Sequence, residues 1–217
     1  MTPMAKGGCR VLTGRIVAWV LSAALLSSLA AGESLEKRLM GALPQGKEIA
    51  GWTALPRSDV YGEGEGLTKI YDGGYKQYVD NGARAAARRV YLKGGMTAEV
   101  VLHYMVSGAA AQRLARIKRT EYSPGKVKAL KNLPAGWSGF TAQESGSAAC
   151  YVWSGKYLAT AMIAGRKVEA AAAARGGGER APSGSPEWAA ALMARKAVSK
   201  ALAAEKSGRK VKTRKSG

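Results

Sequence analysis

Apolar residues recur at helical spacing from Leu67 to Val79. Leu67, Ile70, Tyr71, Tyr75, Tyr78 and Val79 share one stripe, while Lys69, Asp72, Lys76, Gln77 and Asp80 fall on other faces. The pattern predicts a helix over Leu67–Gly82, with Glu63 and Glu65 near its positive end and Asn81-Gly82 as its stop. Gly73 and Gly74 sit in its middle and cost about 2 kcal/mol against alanine. Their missing side chains read in two ways: close packing on a sheet, against Trp153 or Tyr157, or a ligand approaching bare backbone.

Strict alternation marks the strands. From Thr97 to Met105, Ala98, Val100, Leu102 and Tyr104 share one face, and Glu99, Val101, His103 and Met105 share the other. Ala86–Leu92 reads as a strand, although its alanines and arginines also suit a helix, and Gly94-Gly95 makes the turn between the two. Trp137–Thr141 is a short strand. Ala148–Trp153 and Lys156–Ala164 form a hairpin around Ser154-Gly155, in a register that pairs Val152 with Tyr157, Tyr151 with Leu158 and Cys150 with Ala159.

Helices fill the gaps. Leu35, Leu39 and Leu43 predict a short helix stopped by Pro44, and Lys167–Ala174 an alanine-rich one. Ala109–Arg119 places Ala110, Leu114 and Ile117 inward, with Arg113, Arg116, Lys118 and Arg119 outward as a basic surface. Pro124–Gly136 is read as loop and Glu187–Lys206 as a further helix. Gly62-Glu-Gly-Glu-Gly66 is a flexible lead-in rather than a phosphate cradle, since no Lys-Ser or Lys-Thr follows and two carboxylates repel phosphate. Short turns between strands favour antiparallel pairing. The expected fold is α+β: an antiparallel sheet with helices packed on its faces, an N-terminal signal helix and a C-terminal helix with a basic tail.

Charge and the N-terminus change this picture in one respect. The formal net charge is +19, with 34 basic and 15 acidic residues. Lys6, Arg10 and Arg15 precede an uncharged apolar run from Ile16 to Leu29, and Ser28-Leu29-Ala30 and Ala30-Ala31-Gly32 each offer small residues at a cleavage site. Ile16–Ala31 is 16 residues, short of the roughly 20 that span a bilayer. Cleavage after Ala30 or Gly32 and export to the periplasm or beyond are therefore expected. The organisation predicted is a signal peptide over 1–32, a globular domain over 33–175, a Gly/Pro/Ser linker over 176–186, and a helix with a disordered basic end over 187–217. From Arg195 to Gly217 nine basic residues face the single acid Glu205.

Export removes Cys9 with the leader and strands Cys150, so no disulfide closes within the mature chain. Cys150 reads as a small buried hydrophobe.

Several motifs occur together and in order: Gly51-Trp52, Ile70-Tyr-Asp-Gly-Gly-Tyr75 with Tyr78 and Gly82, Glu99-Val100, and Tyr151-Val-Trp-Ser-Gly-Lys-Tyr157. Together they resemble a family of exported bacterial domains of unknown function. Its members carry an Ile-Asn-Gly-Gly/Ala helix, a Glu-Val strand and a final Trp-x-Gly-x-Tyr hairpin. The resemblance covers about Pro44–Ala164 and implies fold and export, with no activity attached.

Candidate chemistry is sparse. His103 is the single histidine, and with Cys150 it leaves too few ligands for zinc, so neither metal nor cofactor is expected. Asp72 and Asp80 stand about 12 Å apart along a straight helix, too far for an acid/base pair. No catalytic residue is assigned. Asp72, Gly73, Gly74 and His103 are the candidate ligand-binding group. Arg209, Lys210, Lys212, Arg214 and Lys215 are a candidate anion-binding tail for an envelope surface or polyanion. With no aromatic residue to stack on bases, that tail is not expected to read nucleic-acid sequence. The expected function is a non-catalytic binding or accessory module of the envelope. The alternatives are a peripheral anion-binding protein acting through its tail and a hydrolase-like enzyme with an unrecognised site.

Overall fold

Eleven-residue and ten-residue strands at the centre of the chain organise everything else. A computed structural model describes residues 33–144, 146–165 and 185–214. Strands β1 (Thr53–Ala54), β2 (Val60–Glu63), β3 (Ala83–Lys93), β4 (Met96–Met105), β5 (Val127–Ala129), β6 (Trp137–Glu144), β7 (Ser147–Ser154) and β8 (Tyr157–Ala164) form one sheet. Their order is β1-β3-β4-β8-β7-β6-β5, with β2 also on β3, and each recorded pairing is antiparallel. The helices are α1 (Leu35–Ala42), α2 (Tyr75–Asp80), α3 (Gly108–Thr120) and α4 (Pro186–Arg214). The expected α+β architecture is thus the observed one. The predicted signal peptide, the 167–174 helix and residues 176–184 of the linker lie outside the described residues.

One face of the sheet carries α1 and α4. Ser185 caps α4, its hydroxyl accepting from the Trp188 amide at 3.2 Å, and Pro186 supplies a preset φ at the first helical position. Ala190, Met193, Ala194, Ala197, Val198 and Ala201 line the buried side of α4 with no exposure. They meet equally small sheet residues, among them Ala148, Cys150, Ala159 and Ala161. Alanine against alanine lets the helix axis approach the sheet closely. The chain is helical through Arg214, so residues 207–214, expected to be disordered, continue α4.

The opposite face carries α3, α2 and a 3-10 segment over Gly64–Lys69. Here the single helix predicted for Leu67–Gly82 is two pieces. Gly73 takes φ 71°, a left-handed conformation outside an α-helix, and the chain turns between Lys69 and Tyr75. The apolar stripe nonetheless survives the break, because Leu67, Ile70, Tyr71, Tyr75, Tyr78 and Val79 all join one core cluster with sheet residues Ala86, Val101 and Met105. The packing explanation of the glycine pair does not hold, since a Cβ at Gly73 or Gly74 would meet nothing within 4 Å.

Three further expectations are corrected. The hairpin pairs Ser154 with Tyr157, Trp153 with Leu158 and Val152 with Ala159, two residues from the predicted register. Gly155 takes φ 54° at the first loop position, where a two-residue II′ turn needs glycine, so the loop is Gly155-Lys156. Lys118, predicted outward, is buried. The expected loop over Pro124–Gly136 also holds the short edge strand β5.

Candidate ligand-binding pocket

The alternation of β4 puts Glu99, Val101 and His103 on the face away from α4. Register then sets their neighbours: His103 lies beside Leu158, Val101 beside Thr160 and Glu99 beside Met162, with Tyr151 of β7 beyond Thr160. Leu114 and Lys118 of α3 descend onto one end of this row, and Tyr71 and Tyr78 close over it. The result is a cavity of about 70 Å³. It opens where Met162 is 42% exposed and the Glu99 side chain is 44% exposed.

His103, 1% exposed, is locked from both sides. Its Nδ1 lies 3.0 Å from the Leu158 carbonyl, which only accepts, so Nδ1 carries the proton. Its Nε2 is then a bare acceptor for the Tyr71 hydroxyl. Tyr71 and Tyr78 stack at 3.7 Å with planes 9° apart. Lys118 donates to Gln77 Oε1 at 3.1 Å and Glu121 Oε1 at 2.9 Å, with its ammonium 4.9 Å from the Tyr78 ring centroid. The imidazole fixes the direction of its own chain: Tyr71 donates to Nε2, and Nδ1 donates to the Leu158 carbonyl.

The electrostatics follow from this burial. Desolvation pushes the His103 imidazole down to about 4, assisted by nearby Lys118 and opposed by the Leu158 bond, so the ring is neutral at physiological pH. Desolvation, reinforced by Tyr78 and Glu99, holds the Tyr71 hydroxyl well above its ordinary range. Burial likewise raises the Glu99 carboxyl, with Arg88, 3.7 Å away, pulling the other way. Burial favours loss of charge at Lys118, but the Glu121 hydrogen bond and the charge interactions with Glu121 and Tyr78 together outweigh it and keep the ammonium charged. Across the pocket wall Tyr151 and Tyr122 share a 3.2 Å hydroxyl contact.

Of the four residues grouped by sequence as ligand-binding, His103 alone lines the pocket. Asp72, Gly73 and Gly74 are exposed on the turn before α2. Arg209, Lys210, Lys212 and Arg214 fall on the last turns of α4, and Lys215 lies outside the described residues. Sequence reasoning missed Tyr71, Tyr78, Glu99, Lys118 and Thr160 as site residues. Lys118 could have been found, because it stands four residues after Leu114, on the inward side of the same helix. Cys150 is buried and free, its thiol pushed up by desolvation, on the opposite face of the sheet. Among the described residues no cluster of three or more His, Cys, Asp or Glu is placed to hold a metal ion.

Neither a family model nor a curated protein matches this sequence. Among solved structures, the chain is similar to the extracellular domain of PknH from Mycobacterium tuberculosis. The TM-score is 0.42 at 10% identity, over 78% of this chain and 97% of that one.

Proposed function

We propose that this protein is an exported, non-catalytic binding module of the cell envelope, and that its ligand enters the pocket beside His103. One observation carries the reading: the polar groups deep in the cavity are committed to one another. Both nitrogens of His103 are engaged, the Tyr71 hydroxyl is spent on Nε2, and Lys118 is bonded to Gln77 and paired with Glu121. A general base or nucleophile needs a free lone pair facing its substrate, and the deep end of the cavity presents none, Glu99 and Thr160 offering theirs only at the mouth. Such a site suits holding a molecule rather than transforming it.

Fragment titration followed by methyl NMR tests this. Hits are expected to shift Met162, Val101, Leu114 and Leu158 together. Hydrolysis of a chromogenic ester, glycoside or phosphate that His103→Gln abolishes would establish the enzyme reading instead. Export rests on the residue pattern of the leader. Mass spectrometry of protein secreted by an expressing bacterium is expected to show a chain beginning at Ala31 or Glu33, and an intact leader on soluble cytoplasmic protein would refute it.

The helical course of α4 favours a second reading. It holds Arg209, Lys210, Lys212 and Arg214 within two turns, concentrating charge for an anionic membrane surface. Sedimentation with anionic vesicles is expected to weaken when 207–217 is removed, and unchanged binding would discard the role.

A further inference from the structure

The pocket interior and its mouth differ in what they leave unspent. Inside, the hydrogen-bonding groups are satisfied by each other, and the surface left to a ligand is made by Val101, Leu114, Leu158 and Met162 with the tyrosine rings. Lys118 is already neutralised by Glu121 at 2.9 Å, bonded to Gln77 and set over the Tyr78 ring, so it is not a bare cation awaiting an anion. At the mouth, Glu99 Oε2 faces Arg88 at 3.7 Å, longer than a hydrogen bond, and neither Glu99 Oε1 nor the Thr160 hydroxyl has a partner among the described residues. Arg88 does not line the cavity, whereas Glu99 and Thr160 do. The unspent polarity at the opening therefore accepts hydrogen bonds and is negative.

Size narrows the other end of the ligand. A dry cavity of about 150 Å³ takes a benzene ring, and this one is about 70 Å³. A short branched alkyl group fits where an aryl ring does not. Burial of apolar surface rewards such a group at roughly 25 cal/mol per Å², and no buried donor or acceptor is stranded by it.

Resting on the reading of this pocket as the ligand site, we propose that the ligand class is a primary aliphatic ammonium. A short branched alkyl group enters the cavity, and the ammonium sits at the mouth on the Glu99 carboxylate and the Thr160 hydroxyl. The half-exposed carboxylate then gains a cation closer than Arg88, and the three ammonium protons find Glu99, Thr160 and solvent.

Three probes test this on the intact chain: 3-methylbutylamine, its near-isostere 3-methylbutanoate, and the bulkier benzylamine, each titrated against the Met162 methyl and Val101 and Leu158 resonances. The amine is expected to shift these signals saturably and to bind roughly tenfold more tightly than the carboxylate, the margin of one ion pair against one repulsion. Benzylamine is expected to be weaker than 3-methylbutylamine. Glu99→Gln should abolish the preference for the amine while leaving the unfolding midpoint at that of the parent, as befits a half-exposed side chain. Equal or tighter binding of the carboxylate or of benzylamine at these resonances would overturn the ligand class and leave the pocket standing. An amine preference that survives Glu99→Gln would also overturn it. Failure of all three probes to reach the pocket resonances would overturn the pocket reading and the ligand class together.

Discussion

The two faces of the sheet are built from the same strands and behave differently. On β4, Val100 and Leu102 face α4, while Val101 and His103 face α3 and the tyrosine pair. On β8, Ala159 and Ala161 go one way and Leu158, Thr160 and Met162 the other. The α4 face is covered by a helix of 29 residues over a core of alanine and other apolar side chains, and Arg89, buried at its margin, is tied to Asp59 and to the Leu43 and Pro44 carbonyls. The other is covered by a 13-residue helix and a broken segment, leaving Leu92 44% and Met162 42% exposed. The first cover is long enough to seal its face, and the second leaves polar groups, a cavity and an opening. Stability and recognition are thus divided between the two sides of one sheet, and substitutions on a single strand can separate them.

The largest effect is expected from two charges placed on β8. Ala161 is fully buried beneath α4, and a carboxylate there has no partner, so Ala161→Asp should cost about 4 kcal/mol or more and abolish cooperative unfolding near neutral pH. Ala164 belongs to the opposite face and is exposed, so Ala164→Asp should stay within about 1 kcal/mol. Urea denaturation of both decides the matter. Comparable losses at the two positions would erase the asymmetry.

Next in size is the acid response of His103. Its folded-state pKa of about 4 lies below the imidazole's ordinary 6.5, so between those values the unfolded chain binds a proton that the native chain refuses. This contribution is intact above about pH 6.5 and is lost progressively as pH falls toward 4, a destabilisation on the order of 3 kcal/mol. Glu99, raised by burial, acts in the opposite sense, the native state gaining protons as pH falls. The His103 share is therefore read as the difference in slope between the parent and His103→Gln, and equal slopes would contradict a neutral buried ring.

A smaller cost is expected from Tyr71→Phe, which removes the donor to His103 Nε2. One unsatisfied buried acceptor is worth about 1–3 kcal/mol. The His103 titration should also move upward, since the bond that favoured the bare nitrogen is gone. Nitrogen-15 shifts of the ring report both tautomer and titration. A variant with the Nδ1-H tautomer and titration unchanged would show that Tyr71 does not hold this ring.

How legible these faces are in the sequence depends on whether they follow from period or from meeting. The period of two over Thr97–Met105 places every side chain on its observed face, and it does so before any partner is known. The hairpin slip of two residues changes each pairing and no face, so the sidedness of β7 and β8 survives an error in the loop. The pocket is different. Tyr71, Tyr78, Lys118 and Thr160 come from four separate elements, and no local pattern states that they converge. Lys118 was hidden further because a lysine is ordinarily a surface residue, and the Gln77 amide and Tyr78 ring it meets are about 40 positions away along the chain.

The smallest expected effect tests how the cover over the pocket is made. Gly73 and Gly74 are adjacent and both face open space, yet only Gly73 has a left-handed φ, 71°, while Gly74 has φ −93°. If backbone conformation is what the pair supplies, Gly73→Ala should cost about 1–2 kcal/mol, the penalty of an L side chain in that region. Gly74→Ala should be neutral within about 0.5 kcal/mol, or slightly stabilising through the unfolded chain. If crowding were the reason, the two would cost alike and more with size. Gly74→Leu extends the series: with nothing near its Cβ, it too should fold with an unfolding midpoint close to the parent. Equal losses at Gly73 and Gly74 would mean that the break between Lys69 and Tyr75 is held by packing, and that the pocket's lid is a sealed surface like the α4 face rather than a turn set by one residue's φ.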